Sequence, residues 1–166
     1  KVISNSYAFN VASQLQREAI ERASDAGIVF VAGAGNNGFD TDVTPLYPAG
    51  FSTALSNVIS VGATNRFDEK ASFSNFGSQS VDFFAPGVDV LTTYPGNVYV
   101  LSNGTSMSCP HGSGAAALLL AEYPMESPAD IQERLRANAD RVPTLHGRSA
   151  SGRLNVNRAL TAHRVQ

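Results

Sequence analysis

A serine on a glycine-led turn, at the mouth of a helix of small residues, is placed for nucleophilic attack. Residues 103–111 spell such a segment, Asn103-Gly104-Thr105-Ser106-Met107-Ser108-Cys109-Pro110-His111, and Gly112-Ser113-Gly114-Ala115-Ala116-Ala117-Leu118-Leu119-Leu120 continues it. Helix N-termini present unpaired N–H groups and partial positive charge, so negative charge forming beside Ser106 would be stabilised there. Pro110 is expected in the first helical turn, where a missing N–H costs little. Taken alone, a serine in this setting is more often a helix cap before a core helix. A second segment changes that balance.

Asn36 stands in Gly33-Ala34-Gly35-Asn36-Asn37-Gly38, directly after the apolar run 28–32. Its side-chain NH2 can donate to an oxygen that becomes negative during acyl transfer. A lone Asn in a Gly-rich loop otherwise reads as a positive-φ turn residue. The same six residues match G-x-G-x-x-G, the dinucleotide fingerprint, which needs a helix starting inside it and an acidic residue about twenty positions on. Residues 39–45 are not built for such a helix, and no Asp or Glu occurs between Asp42 and Asp68. A nucleotide-binding α/β domain is therefore the weakest of the readings.

The elements around these segments alternate. Residues 1–6 read as a strand. A helix is expected from an Asn10 N-cap to a Gly27 C′ residue, with Val11, Leu15, Ala19, Ala23 and Ala26 on its inward face. Residues 28–32 form a continuous apolar strand of the kind covered on both faces. Strand, helix and buried strand make a βαβ unit and imply a parallel sheet. Residues 33–57 read as loop. Short strands are expected at 58–61, 81–85, 88–93 and 98–101, then a helix from Ser106 to about 122. Ser127-Pro128-Ala129-Asp130 caps a helix carrying Ile131 and Leu135 inward, and residues 154–160 form a last short helix.

With 166 residues, 43% of them hydrophobic and 16% charged, the chain is globular and long enough to bury a core. A net charge of −2 offers no footprint for nucleic acid or an anionic membrane. No apolar run approaches bilayer length. The single cysteine, Cys109, excludes an internal disulfide and reads as a small buried hydrophobe.

Read together, the motifs carry a family resemblance. Residues 104–111 resemble the nucleophile segment of the subtilisin-like serine proteases, and Val31-Ala32-Gly33-Ala34-Gly35-Asn36 resembles their oxyanion-asparagine segment. Val2-Ile3-Ser4-Asn5-Ser6-Tyr7 is similar to the strand edge that holds peptide substrate. Tyr47-Pro48-Ala49, Ala71-Ser72-Phe73-Ser74-Asn75-Phe76-Gly77 and Ala85-Pro86-Gly87 also match, in family order. The resemblance implies a three-layer αβα fold with a mostly parallel sheet, and makes residues 1–166 the C-terminal portion of one catalytic domain, incomplete at its N-terminus. It implies Ser106 as nucleophile, and an oxyanion hole formed by the Asn36 side chain and the Ser106 N–H with Thr105 supporting it. Ser6, Tyr7 and Ala8 would border the extended polypeptide substrate, and Gly33, Ala34 and Gly35 would form the opposite wall of the S1 pocket. The low wall implies a bulky apolar or aromatic P1 residue.

A subtilase triad runs Asp, His, Ser along the chain. Here the expected Asp and His are absent before Ser6, and His111 matches a structural histidine of the nucleophile helix. His146 and His163 read as solvated, and Asp82 and Asp89 fall where the family places no catalytic carboxylate. The chain alone is thus expected to be inert and to need an N-terminal partner segment beside its opening strand. A non-catalytic peptide-binding module is the alternative. The resemblance further implies an extracellular setting and a possible structural calcium, with carboxylates at Asp40 and Asp42, although no ligand set is legible and no metal is assigned. No cofactor is required for the chemistry.

Overall fold

Two strands are apolar enough to be covered on both faces, β2 (Val29–Gly33) and β3 (Val58–Thr64), and every residue in them is buried. In the computed structural model, which describes residues 1–162, they form the centre of a four-stranded sheet. β1 (Val2–Asn5) lies outside β2, and β4 (Phe83–Pro86) lies outside β3. All three pairings are parallel, with Asn5 opposite Ala32, Gly33 opposite Val61 and Thr64 opposite Pro86. β1 is an edge strand among the described residues, and Ile3 on it is 38% exposed.

Side chains alternate across a strand, so each face of β2 builds a separate core. Val29 and Val31 join Ile59, Val61, Phe83 and Ala85 beneath helix α2 (Thr105–Glu122), α3 (Pro128–Ala137) and α4 (Val156–Thr161). Phe30 and Ala32 join Val58, Ala49, Phe51 and Ile20 of helix α1 (Gln14–Asp25) on the other side. Helices, sheet and helix thus make three layers. α2 lies very close to the sheet: a Cβ on Gly112 would come within 2.9 Å of Val61 and 3.2 Å of Val31. Small residues on that helix allow the approach. Ser127 and Asp130 form a reciprocal capping box at the start of α3, and Ile131 and Leu135 are fully buried, as the sequence pattern requires.

Several boundaries differ from the sequence reading. α1 starts at Gln14, where Ser13 Oγ accepts from Gln16 N, rather than at an Asn10 cap. Its inward residue is Ile20; Val11 and Leu15 are 77% and 78% exposed. Val11 precedes the helix, and Leu15 stands about 140° round it from Ile20, on the outward face. Residues 33–57 contain a short 3-10 helix, Ala49–Thr53, that buries Phe51. β3 runs on through Gly62-Ala63-Thr64 because β4 pairs with that extension. β5 (Val90–Tyr94) and β6 (Val98–Ser102) form a separate antiparallel hairpin. His163 lies outside the described residues.

One buried carboxyl sits beneath the sheet. Asp82, 1% exposed, takes Ser60 N–H on Oδ2 at 2.6 Å, while Oδ1 faces Gln132 Nε2 at 3.3 Å and Arg136 at 3.4 Å. Burial pushes its pKa from 3.8 up to about 7, against the opposing pull of the Ser60 N–H, the Arg136 charge and Gln132. Between those values the folded chain holds a proton that the unfolded chain has released. This contribution is complete below pH 4 and is lost as pH rises through 7. In urea titrations of the full-length protein, the difference in stability between wild type and Asp82→Asn should shift by about 3 kcal/mol against wild type from pH 4 to pH 8.

Candidate active site

Strands of a parallel sheet deliver their C-terminal ends to one edge, where open α/β folds gather their sites. Here β1 ends at Asn5-Ser6, β2 runs into residues 33–36, and the loop after β4 returns through the β5–β6 hairpin to the N-terminus of α2. Gly87 N donates to Thr64 O at 2.9 Å and Gly104 N donates to Gly87 O at 2.8 Å, which ties the start of α2 to the end of β3.

α2 has no cap from its own side chains; its N-cap is Gly104, at φ +148°, and Ser106 lies inside the first turn. The helix-cap role open to Ser106 in the sequence is therefore not the one it takes. Asn36 caps the helix from across the site. Its Oδ1 accepts from Thr105 N at 2.8 Å and from Thr105 Oγ1 at 3.0 Å. A backbone N–H can only donate, so the amide oxygen must face it, and the NH2 is turned the other way. Thr105 Oγ1 in turn accepts from Gly35 N at 3.1 Å. Thr105, 2% exposed, thus locks the loop to the helix at three points.

Neither Asn36 Nδ2 nor Ser106 N has a hydrogen-bond partner among the described residues. The two donors converge: a Cβ built on Gly104 would lie 3.4 Å from Asn36 Nδ2 and 3.5 Å from Ser106 N. Glycine at 104 leaves that space open, and its backbone angle is one that side chains rarely adopt. Two N–H donors thus stand beside one open space at the positive end of the α2 dipole.

Ser106, half-buried, is held from the β1 side. Its Oγ donates to Ser6 O at 3.4 Å, while Ser6 Oγ donates to Ser106 O at 3.2 Å. That second bond exists because of Pro110. Pro110 lies inside α2, past the first turn, contrary to the sequence reading. It has no N–H to give to the carbonyl four residues back, so Ser106 O is left for the hydroxyl of Ser6.

The remaining candidates take different places. Tyr7 and Ala8 are exposed and lead away from Ser6; their main-chain groups carry no hydrogen bond among the described residues. Ala34 is buried with Val81, Phe84 and Leu145. The glycines at 33 and 35 are points of close packing. A Cβ on Gly33 would stand 3.0 Å from Thr105 O, and one on Gly35 would stand 2.5 Å from Asn75 Nδ2 and 2.7 Å from Leu46. No helix begins within residues 33–38, which removes the context a dinucleotide would need. His111 Nδ1 meets Met107 O at 2.8 Å along its own helix, and His146 is exposed beyond the 3-10 turn Pro143–Leu145. Cys109 is buried, donating to Asn5 O and Val31 O.

The loop at Asp40 and Asp42 does not suit calcium. The Asp42 carboxylate is already occupied by Ser78 Oγ, Gln79 N, Ser80 N and Ser80 Oγ, which hold its pKa below the ordinary range despite partial burial. Among the described residues no three His, Cys, Asp or Glu side chains gather where a metal could sit. None of the described helices is long and apolar enough to cross a membrane.

The parallel αβα fold thus presents a serine in the first turn of a helix, beside the Asn36 carboxamide. The comparisons with known proteins place it further. The Subtilase family model matches residues 1–160, and the chain belongs to that family. It is 43% identical to subtilisin DY of Bacillus licheniformis over 124 residues, covering 74% of this chain and 43% of that protein. It is 39% identical to a subtilisin of Bacillus pumilus over 139 residues, covering 83% and 49%. A solved structure described as proteases from Pseudoalteromonas arctica PAMC 21717 superposes with a TM-score of 0.85 at 28% identity, covering 96% of this chain and 50% of that one. The chain thus spans about a third to a half of the length of the curated relatives it matches.

Thr105→Val keeps the shape of the side chain but leaves Gly35 N–H without its acceptor. Denaturant unfolding of the full-length protein should show a loss of about 1–3 kcal/mol.

Proposed function

We propose that residues 1–166 are the C-terminal portion of a single subtilisin-like catalytic domain of a serine endopeptidase, and that extended polypeptide is the substrate. The observation that carries this reading is the approach of Asn36 Nδ2 and Ser106 N to one open point at the start of α2, in whose first turn Ser106 lies. Ser106 Oγ attacks the scissile carbonyl carbon, and the carbonyl oxygen takes up negative charge between the two donors. The C–N bond then breaks, the departing amine takes a proton, and the acyl group stays on Ser106 until water releases it.

The free main-chain groups of Tyr7 and Ala8 suit an added substrate strand, with main-chain pairing for affinity. Gly33, Ala34 and Gly35 line the facing side. Thr105 keeps Asn36 turned toward the oxyanion, since both of its bonds go to the amide oxygen.

The proton acceptor comes from elsewhere. His111 is engaged with Met107 O, and among the described residues no histidine hydrogen-bonds Ser106. Family order puts an Asp and then a His before the serine. We assign both to a segment outside residues 1–166, seated along the free side of β1. Without that base, Ser106 keeps an ordinary hydroxyl and reacts slowly. An extracellular setting follows from the same family reading.

A fluorophosphonate probe on the full-length protein should label Ser106, and Ser106→Ala should abolish both labelling and peptide hydrolysis. Absence of labelling in the wild type would favour a peptide-binding module of the same fold. Asn36→Ala should lower kcat by about 10²–10³, the magnitude known for such a donor in a subtilisin, with little change in KM. The isolated 1–166 chain should hydrolyse peptides only at background rate; robust turnover lost on Ser106→Ala would overturn the assignment of the base to an outside segment.

A further inference from the structure

Asn36 sits on an exposed loop, yet an oxyanion donor must be fixed before the reaction begins. Thr105 holds the tip of its side chain. The loop backbone on either side is held by another residue, Asn75, which is completely buried.

The Asn75 carboxamide spans the base of the loop. Its Nδ2 donates to Ala34 O at 2.9 Å. Its Oδ1 accepts from Asn37 N at 3.0 Å and from Phe39 N at 2.9 Å. Its own backbone N–H donates to Gly35 O at 2.9 Å. The four bonds bracket Asn36 on both sides, at 34–35 and at 37–39. Gly35 fits this arrangement closely, since a Cβ there would stand 2.5 Å from Asn75 Nδ2, and its φ of +104° is one that glycine adopts readily.

Asn75 is itself anchored to the centre of the sheet. Ser74 Oγ accepts from Ala63 N of β3 at 2.9 Å and donates to Asn75 O at 2.9 Å. Phe76 N then donates to Phe39 O at 3.0 Å, and Thr41 N to Phe76 O at 2.7 Å. A continuous run of hydrogen bonds therefore leads from β3 through Ser74 and Asn75 to the loop, and from Asn36 to the first turn of α2.

The chemistry of the site demands a carboxamide. One carbonyl needs a donor and two N–H groups need an acceptor, all in a fully buried place. A carboxylate would supply no donor to Ala34 O and would bury a charge; a hydroxyl is too short to reach both sides. We propose that Asn75 is a positioning residue for the oxyanion donor: it sets the backbone of residues 34–39 so that Asn36 Nδ2 stands where the developing charge will be. This rests on the protease reading given above, but its structural half can be tested without it.

Asn75→Ser, which keeps one acceptor, and Asn75→Ala should be made in the full-length protein. By amide hydrogen exchange, Asn37 and Phe39 should exchange at least about tenfold faster in both variants, beyond any change at Val61 in β3. Unchanged protection at 37 and 39 would overturn the proposal whether or not the wild type is a protease. In kinetics, kcat should fall by between about tenfold and 10²-fold with KM nearly constant. The same substitutions in an Asn36→Ala background should cost little more. An equal further loss there would show that Asn75 does not act through Asn36, and would also overturn it. Failure of the protease reading shows separately, as a wild type that neither labels with fluorophosphonate nor turns over.

Discussion

The 2.8 Å hydrogen bond from Thr105 N to Asn36 Oδ1 is the constraint on which the site depends. It does two things at once. It satisfies an orphan N–H of α2 that no side chain of the helix reaches, and it fixes which end of the Asn36 amide faces the open space. A helix terminus normally finds its cap one residue upstream. Here the cap comes from sixty-nine positions away, so the start of α2 and the end of β2 cannot be placed independently. The tight contact of Gly33 with Thr105 O and the bond from Gly35 N to Thr105 Oγ1 enforce the same registration.

The sheet makes that registration possible. Parallel strands bring β1, β2 and β3 to a common edge, and the close seating of Gly112 on Val31 and Val61 fixes the height of α2 above it. The core beneath is built from residues of β2 and β3 that are all buried, so the edge is carried on closely packed strands. The β1 edge, by contrast, has an unpaired side among the described residues. The site thus lies where the most buried and the least covered strands of the sheet meet.

Much of this was legible in the chain. The apolar run 28–32, the Ser127–Asp130 cap and the small-residue helix gave the α/β order, and the ordered motifs led to Ser106 and Asn36. What escaped was whatever depended on distant partners. The inward face of α1 misled because Val11 falls before the Ser13 cap and Leu15 lies on the face away from Ile20, so the sheet takes up a different stripe of the helix. Asn75 lies in a stretch that matched the family, but nothing in its spacing showed that it is buried and bonded to residues 34–39. The glycines at 33 and 35 are also points of close approach to Thr105, Leu46 and Asn75, which a Gly-rich loop does not reveal in sequence.

Pro110 also carries a mechanical consequence. In an unbroken helix, the Ser106 carbonyl would be held by an amide of the same helix and would move with it. With proline at 110, that carbonyl is fastened to a hydroxyl on the neighbouring strand edge instead. Ser106 and the segment that follows β1 are therefore joined by hydrogen bonds in both directions, and the start of α2 is fastened across to the strand edge as well as along its own axis.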